Sequence, residues 1–289
     1  MARRRHREVL DAVVPPDPAL AIDPARVRDI LVSFLRAETT RAGRDRLVVG
    51  LSGGLDSAVA AVLAVGALGP DHVLGVRLPY RSSSTASAAD ARRIVDRLGI
   101  PSETVAISPM VDAYFASRQS ASRHRQGNKM ARERMSILYD LSEEHGGLVL
   151  GTSNKTELLL GYGTLHGDLA HALNPLGDLY KTQVRQLAAF LEVPASILAK
   201  APSADLWPGQ SDEEDLGMTY ADADRILHHL FDRRASDEAL RAMGFDRQLV
   251  RRIRERVRRS QFKRRMPLIA KVSLRTVGID FRYPRDWGT

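Results

Sequence analysis

The 289-residue sequence contains no cysteine. This absence excludes disulfide bonds, thiolate nucleophiles, cysteine-ligated zinc sites and iron–sulfur clusters. Any metal that the chain binds must therefore have oxygen or histidine ligands.

The sequence also has no long hydrophobic run. No stretch approaches the roughly 20 apolar residues that a helix needs to cross a bilayer, and the charged segment 1–20 has no apolar region of the kind found in secretory signals. We therefore expect no membrane segment and a cytoplasmic protein. Hydrophobic residues still make up 44% of the chain, enough to bury a sizeable core in one large domain or two small ones.

Acidic residues are outnumbered by basic ones. The chain has 43 lysines and arginines against 35 aspartates and glutamates, a net charge of +8 and an isoelectric point of about 10.0. The basic residues concentrate at 2–7 and 251–265, whereas 212–215 is an acidic run. A basic chain suits either nucleic acid or phosphate-rich small molecules. From charge alone we do not expect a nucleic-acid partner.

Short apolar segments alternate with helical patterns along the chain. The segments that we expect to be strands are 46–52, 72–79, 103–108 and 147–153, and the helical patterns are 23–38, 55–68, 84–99, 109–118, 128–145 and 179–193. This alternation predicts an α/β fold, a doubly wound parallel sheet flanked by helices, with a helical C-terminal part. Ligands of such sheets bind beyond the carboxyl ends of the strands, where polar segments follow the first, second and fourth strands.

One of these segments, 52–57, reads Ser-Gly-Gly-Leu-Asp-Ser. Its adjacent glycines let the backbone turn sharply and bring N–H groups close to an anion. Its serines add hydroxyl donors, and the helix that begins near Leu55 presents its positive end. The lysine of the common G-x-x-x-x-G-K-[ST] loop is missing, and Asp56 would repel a bare phosphate, so we expect Asp56 to hold Mg²⁺ bridged to phosphate oxygens. The alternative is an ordinary glycine-rich turn with Asp56 as a first-turn helix acid.

This loop resembles the SGGxDS loop of the N-type ATP pyrophosphatases, the PP-loop enzymes. The resemblance implies that ATP is cleaved between its α- and β-phosphates and that pyrophosphate leaves through the loop. Five later segments are similar, in order along the chain, to segments of NAD synthetases: 126–147, 148–168, 174–184, 201–217 and 260–267. Residues 277–287 are similar to the C-termini of that family. The chain thus resembles the ammonia-dependent NAD synthetases over most of its length, which implies the adenine nucleotide alpha hydrolase-like form of the fold.

The resemblance implies how ATP and its metal are bound. Asp56 and Glu157 would hold Mg²⁺, an ion that accepts two carboxylates together with phosphate oxygens and water. Asp56 and Lys181 would be the catalytic residues, with Lys181 as a point charge on the phosphates, and Ser203 takes the place of a family threonine. The implied ATP-binding residues are Gly50, Leu51, Ser52, Gly53, Gly54, Leu55, Asp56, Ser57, Thr152, Lys181 and Ser203. Without the resemblance, Glu157 would be interpreted as a helix-surface acid and Lys181 as a solvated lysine at a helix start.

The resemblance also implies a site for deamido-NAD, that is, nicotinic acid adenine dinucleotide. Its residues would be Arg132, Asp168, Phe262 and Lys263. If its segment is helical, Arg134 points away from the direction of Arg132 and is then a structural residue. Arg264 and Arg265 next to Lys263 are as compatible with exposure to solvent as with a role in the site.

Three positions depart from the commonest ammonia-dependent form. Leu165 replaces a lysine, Ala172 an aspartate and Phe262 a histidine. Because a lysine and an acid are lost together, we expect a different local solution for gripping the nicotinate end. The sequence does not decide between three substitutes: His166, Asp168 and His171.

The implied reaction is the amidation of the nicotinate carboxylate of deamido-NAD, the last step of NAD biosynthesis. The carboxylate attacks the α-phosphorus of ATP, and ammonia then displaces AMP to give NAD, so positioning matters more than a protein nucleophile. Glutamine-dependent relatives carry an extra N-terminal domain with a catalytic cysteine, so we expect free ammonia as the donor, or ammonia from a separate glutaminase.

The resemblance further implies a homodimer and one NAD synthetase domain over 1–289. In it, 1–22 would be an extended or poorly ordered lead-in, and 201–216 and 260–289 would be mobile segments that cover the substrate. Two other hypotheses stay open: a PP-loop enzyme acting on RNA, and an adenine-nucleotide-binding module without catalytic activity.

Overall fold

Four parallel strands form the sheet in the part of the chain that the computed structural model describes, residues 17–118, 120–207, 209–265 and 268–277. The strands are β1 (Arg46–Gly50), β2 (Val73–Arg77), β3 (Ser102–Thr104) and β4 (Gly147–Leu150). Their order across the sheet is β3-β2-β1-β4. At the centre, Val48 of β1 aligns with Leu74 of β2 and with Val149 of β4.

Helices cover the sheet and form the C-terminal part of the chain. They are α1 (Pro24–Arg41), α2 (Leu55–Leu68), α3 (Thr85–Leu98), α4 (Ser108–Phe115), α5 (Arg123–Glu144), α6 (Lys155–Leu160), α7 (Lys181–Phe190), α8 (Ala195–Leu198), α9 (Asp212–Leu216), α10 (Tyr220–Leu227), α11 (Asp237–Ala242) and α12 (Arg247–Arg259). The predicted α/β fold, with its parallel sheet and helical C-terminal part, is confirmed.

Capping residues that are visible in the sequence set several helix ends. Asp23 begins α1 and Ser84 begins α3, each by accepting hydrogen bonds from backbone N–H groups of the first turn. Gly99 ends α3 in the left-handed conformation, with φ of 63°. These local signals explain why the predicted helix 84–99 agrees so closely with the observed one.

Two expectations differ from the structure. The predicted strand 103–108 is wrong in its second half, because Pro109 lies in the first turn of α4, where its fixed φ and missing N–H favour a helix start. The expected lead-in 1–22 is ordered in its described part: Pro18–Leu20 form a 3₁₀ turn, and Leu20 is fully buried against the C-terminal helices. Residues 1–16 lie outside the described residues.

Alternate residues of β1 face opposite layers of the molecule. Leu47 and Val49 pack with α1, α2 and α7, whereas Val48 packs with α4 and α5. A third apolar cluster joins α6, α10, α11 and α12. Because all three β1 residues are completely buried, the sheet is covered on both faces, as a doubly wound fold requires.

The strand order places a crevice at the carboxyl ends of β1 and β4. Strand β2 lies on one side of β1 and β4 lies on the other side. The connections that leave the carboxyl ends of β1 and β4 therefore run in different directions and leave a crevice between them. The segments 52–57 and 151–157 follow these two strands and therefore meet there. Within the described ranges, no helix combines the length and apolar character needed to span a bilayer.

Candidate active site

The loop after β1 is shaped by its glycines. Gly53 has φ of +75°, and a Cβ atom added to it would lie 2.1 Å from the backbone oxygen of Ser87 on α3, so only glycine fits. The hydroxyl of Ser52 accepts a hydrogen bond from the N–H of Gly54 (3.2 Å) and lies 3.1 Å from the hydroxyl of Ser57. The N–H groups of the first turn of α2 have no acceptor within the helix, so the loop presents donors to an anion.

The ammonium group of Lys181 lies between two carboxylates that come from different helices. It contacts Oδ2 of Asp56 at the start of α2 and lies 3.5 Å from Oε1 of Glu157 on α6. The Lys181 side chain is 5% exposed, so it is not a solvated lysine at a helix start. Three residues that are distant in sequence are thus brought to one point.

The surroundings shift the pKa values of Lys181 and Glu157. Burial lowers the pKa of Lys181, but the carboxylates of Asp56 and Glu157 outweigh this effect and hold the pKa above its ordinary value. Burial raises the pKa of Glu157 to about 8, with Lys181 opposing and Asp56 adding to the rise. Glu157 therefore binds a proton readily when no further cation is near.

Asn154 supports this arrangement and was missed by the sequence analysis. Its Nδ2 donates to Oδ1 of Asp56 (3.1 Å), its Oδ1 accepts from the N–H of Glu157 (3.0 Å), and its own N–H donates to Oε2 of Glu157 (3.2 Å). The completely buried amide thus orients both carboxylates. The available signal was an asparagine three residues before a glutamate after a strand, which is a helix-capping pattern.

A buried acid with two tyrosines closes the other side of Lys181. Asp212, 4% exposed, lies 2.9 Å from the hydroxyl of Tyr162 and 3.2 Å from that of Tyr220. The Lys181 ammonium lies 5.2 Å from the centre of the Tyr220 ring. Burial raises the pKa of Asp212, while Lys181 and the tyrosine hydroxyls oppose the rise. The sequence analysis treated Asp212 only as part of an acidic run.

A cavity of about 1020 Å³ opens from this point. It is lined by every residue that the resemblance implies for ATP, metal and deamido-NAD, apart from Gly53. Thr152, half-buried after β4, and Ser203, exposed in the segment before α9, line this cavity together with the loop 52–57. The structure thus gathers residues from six separate sequence segments around one space.

The residues implied for deamido-NAD lie together on one side of the cavity. Nε of Arg132 donates to the backbone oxygen of Leu165 (3.1 Å), and Asp168 accepts from the N–H of Thr164 (2.8 Å). Lys263 donates to two backbone oxygens of the segment 161–163, at 2.8 and 2.7 Å. Desolvation by the surrounding protein raises the pKa of Asp168, and hydrogen bonds and the charge of Lys263 oppose that rise.

Phe262 and two arginines complete this region. Phe262 is 60% exposed at the cavity edge. Contrary to expectation, Arg134 also lines the cavity: its Nε donates to the backbone oxygen of Leu78 (3.0 Å), and burial lowers its pKa. The long side chain lets Arg134 reach the same space as Arg132. Arg264 is not a freely solvated side chain, because its guanidinium donates to backbone oxygens of α6 and α12.

The three candidates for gripping the nicotinate end differ in position. Asp168 lines the cavity, whereas His166 and His171 are not among the described residues that line it. His171 packs on the end of β4, because a Cβ atom on Gly151 would lie 2.4 Å from its ring, and burial lowers its pKa. Leu165 lines the cavity and Ala172 does not.

The segment before α9 follows the cavity wall. Asp205, with φ of +50°, accepts from the N–H of Ser84 (3.1 Å), and its own N–H donates to the hydroxyl of Ser203 (3.1 Å). Leu206 packs against Gly127 of α5. These contacts fasten 201–207 to α3 and α5. Pro208 and residues 278–289 lie outside the described residues.

Most of the chain is similar to proteins of known function. The model of the family described as NAD synthase matches residues 27–267. The NH(3)-dependent NAD(+) synthetase of Trichlorobacter lovleyi is 54% identical over 93% of this chain and 98% of its own length. Among solved structures, the NH3-dependent NAD synthetase of Campylobacter jejuni has a TM-score of 0.74 and 33% identity, covering 87% of this chain and 100% of that one. The NMN synthetase of Francisella tularensis has a TM-score of 0.76 and 36% identity, covering 86% and 99%.

Proposed function

The chain belongs to the NAD synthase family, and on this premise we propose that it catalyses the ATP-dependent amidation of deamido-NAD to NAD with ammonia as the nitrogen donor. The products besides NAD are AMP and pyrophosphate. One observation carries the proposal beyond family membership: Asp56, Glu157 and Lys181 meet at a single point of the cavity beyond β1 and β4.

Two carboxylates that converge on one cation fit a site for Mg²⁺. Asp56 and Glu157 would hold the ion, and no group of three or more His, Asp or Glu side chains suited to a metal occurs among the described residues. Two protein ligands suit Mg²⁺, which takes its remaining ligands from phosphates and water. When bound, the ion would supply neutralisation of the phosphate charge.

The residues of the chain have distinct tasks in this reaction. The N–H groups and hydroxyls of the loop 52–57 bind the phosphate oxygens, and Lys181 supplies a positive charge to them. An oxygen of the nicotinate carboxylate forms a bond to the α-phosphorus, and the bond from that phosphorus to the pyrophosphate oxygen breaks. The loop stabilises the departing pyrophosphate, because its donors are already oriented.

In the second step the nitrogen of ammonia attacks the acyl carbon of the adenylate. The bond to the AMP oxygen breaks, one proton leaves the nitrogen, and the amide of NAD remains. Arg132, Asp168, Phe262 and Lys263 hold the dinucleotide during both steps. No nucleophilic side chain is needed, which suits a chain without cysteine.

The proposal extends to the oligomeric state, the domain organisation and the cellular location. A homodimer with the dinucleotide at the subunit boundary is supported by the highly exposed apolar side chains of 268–277, such as Val272 (94%) and Leu274 (93%). The match to 27–267 supports one catalytic domain over 1–289. A reaction that consumes ATP and yields NAD and AMP fits a cytoplasmic location, where a separate glutaminase is an alternative source of ammonia.

The test is an assay of the full chain with ATP and Mg²⁺ that follows NAD and pyrophosphate together. Ammonium is compared with glutamine, and deamido-NAD with nicotinic acid mononucleotide, because one structural relative is named an NMN synthetase. We expect turnover with ammonium and deamido-NAD, and equal amounts of NAD and pyrophosphate. No NAD from either nitrogen source would overturn the proposal, and a strong preference for the mononucleotide would overturn its substrate.

A further inference from the structure

Asp224 is a completely buried carboxylate that joins the two helices carrying Glu157 and Lys181. It lies on α10, in the C-terminal part of the chain. Its Oδ1 accepts from the hydroxyl of Thr156 (2.5 Å), and its Oδ2 accepts from the hydroxyl (2.7 Å) and the N–H (2.8 Å) of Thr182. Thr156 directly precedes Glu157 on α6, and Thr182 directly follows Lys181 on α7.

The hydroxyl of Thr156 links the two helices a second time. It accepts a hydrogen bond from the backbone N–H of Lys181 (3.0 Å) while it donates to Asp224. Thr156 is itself completely buried. Since each polar group in this cluster has a partner, the cluster fixes one arrangement of the helix starts.

The hydrogen bonds of Asp224 are needed because α6 and the connection to α7 do not by themselves fix the positions of Glu157 and Lys181. Helix α6 has six residues, too few to be stable in isolation, and 20 residues (161–180) separate it from α7. Charged groups that act on a phosphate must be held to about half an ångström. Burial raises the pKa of Asp224 to about 6, with the hydrogen bonds from Thr156 and Thr182 opposing the rise, so the acceptor form prevails at neutral pH.

We propose that Asp224 is a positioning residue that holds Glu157 and Lys181 in the spacing needed to bind Mg²⁺ and the phosphates of ATP. It touches neither ligand and acts through Thr156 and Thr182. The proposal rests on the proposed function, because it takes Glu157 and Lys181 as the groups that bind metal and phosphate.

The test uses Asp224→Asn and Thr156→Val in the full chain, with Thr156→Ser as the variant that keeps the hydroxyl. Binding of ATP with Mg²⁺ is measured by titration calorimetry, and kcat and KM are measured for each substrate. We expect both disruptive variants to weaken ATP binding in Mg²⁺ and to lower kcat about tenfold or more, the usual effect of removing a group that orients a metal ligand. The KM for deamido-NAD should stay near its wild-type value, and Thr156→Ser should remain within about twofold of wild type.

A control separates positioning from stability. Leu240→Ala removes a buried side chain that belongs to the same C-terminal apolar cluster but does not line the cavity, and it should lower Tm without changing ATP binding. The proposal is overturned if Asp224→Asn and Thr156→Val lower Tm as Leu240→Ala does but bind ATP with Mg²⁺ like the wild type. Should Asp224→Asn fail to fold, Thr156→Val decides alone. A wild-type chain that binds ATP with Mg²⁺ but makes no NAD would overturn the proposed function, and the binding comparison would still test Asp224.

Discussion

The ammonium group of Lys181 contacts the carboxylate of Asp56 directly, although the two residues lie 125 positions apart in the sequence. Glu157 lies on the other side of the same ammonium group. A lysine of the protein therefore offsets part of the negative charge of these two carboxylates. If these two carboxylates hold Mg²⁺, as proposed, we expect the ammonium group of Lys181 to become free to interact with the phosphates of ATP.

Replacing Lys181 by methionine tests this exchange. Because Glu157 binds a proton readily, Lys181→Met chiefly leaves the carboxylate of Asp56 without a counter-charge, and we expect the free energy of unfolding without ligands to fall by about 3 kcal/mol. Activity should fall about 100-fold or more, because a charge on the phosphates is lost. Mg²⁺ alone should raise the Tm of the variant more than that of the wild type, since the carboxylates no longer have a competing cation.

The matched control for this experiment is Lys129→Met. Lys129 pairs with Glu133 one turn further along α5, and its side chain is 29% exposed; an ion pair of this kind within one helix contributes less than about 1 kcal/mol. It should leave Tm and its response to Mg²⁺ nearly unchanged. An equal Mg²⁺ response in Lys181→Met and wild type would contradict the exchange.

The loop after β1 gives a second expected outcome. Gly53→Ala combines a positive φ with a contact of 2.1 Å to Ser87, so the loop must move, and we expect pyrophosphate formation to fall at least tenfold. Gly99→Ala has a similar φ of +63° but open space around the added Cβ. It should lower stability by only about 1–2 kcal/mol and leave activity intact. Equal activities for the two variants in the pyrophosphate assay would contradict the steric argument.

The sequence predicts those parts of the fold and site that depend on local pattern. The parallel sheet follows from alternating apolar segments, and the loop 52–57 follows from adjacent glycines between a strand and a helix. Glu157 and Lys181 came from the family resemblance, and the sequence alone would have left them as surface charges. Their burial depends on the packing of α6 and α7, which no local pattern reports.

The residues that escaped the sequence analysis share one property. Asn154, Asp212 and Asp224 are polar side chains buried by helices that are distant in sequence. On a helix, a buried acid and a solvated acid have the same spacing until the neighbouring helix is known. Asn154 alone left a local trace, as the first residue of a capping pattern.

The buried Asp224 should make stability depend on pH. Its pKa is raised from 3.8 to about 6, by burial first, so the folded state holds a proton that the unfolded state releases between these values. The contribution of this group to stability is therefore present at low pH and is lost as pH rises to about 6, with a change of up to about 3 kcal/mol. Urea unfolding of wild type and Asp224→Asn from pH 4.5 to 7 measures it. The stability advantage of the wild type over the variant should shrink as pH rises, and a constant or growing advantage would contradict the argument.

The last prediction concerns Arg264, which contacts the C-terminal end of α6. Its guanidinium donates to the backbone oxygens of Leu158, Leu159 and Val257, and so joins the end of α6 to the end of α12. The preceding residue, Lys263, donates to the segment 161–163, which leads from α6 toward the residues implied for deamido-NAD. Arg264→Met removes these donors, and the carbonyl oxygens of Leu158, Leu159 and Val257 keep only longer hydrogen bonds from Gly161 or Ser260. We expect the free energy of unfolding to fall by about 1–3 kcal/mol.

Because Lys263 is held by the same turn, Arg264→Met should also raise the KM for deamido-NAD more than the KM for ATP. Arg265→Met is the matched control, since Arg265 is the exposed neighbouring arginine. It removes one positive charge from the same segment without touching α6, so both KM values should stay near those of the wild type. Steady-state kinetics with each substrate varied in turn makes the comparison. If the two variants raised the KM for deamido-NAD equally, the effect would come from the lost charge, and the anchoring role of Arg264 would be wrong.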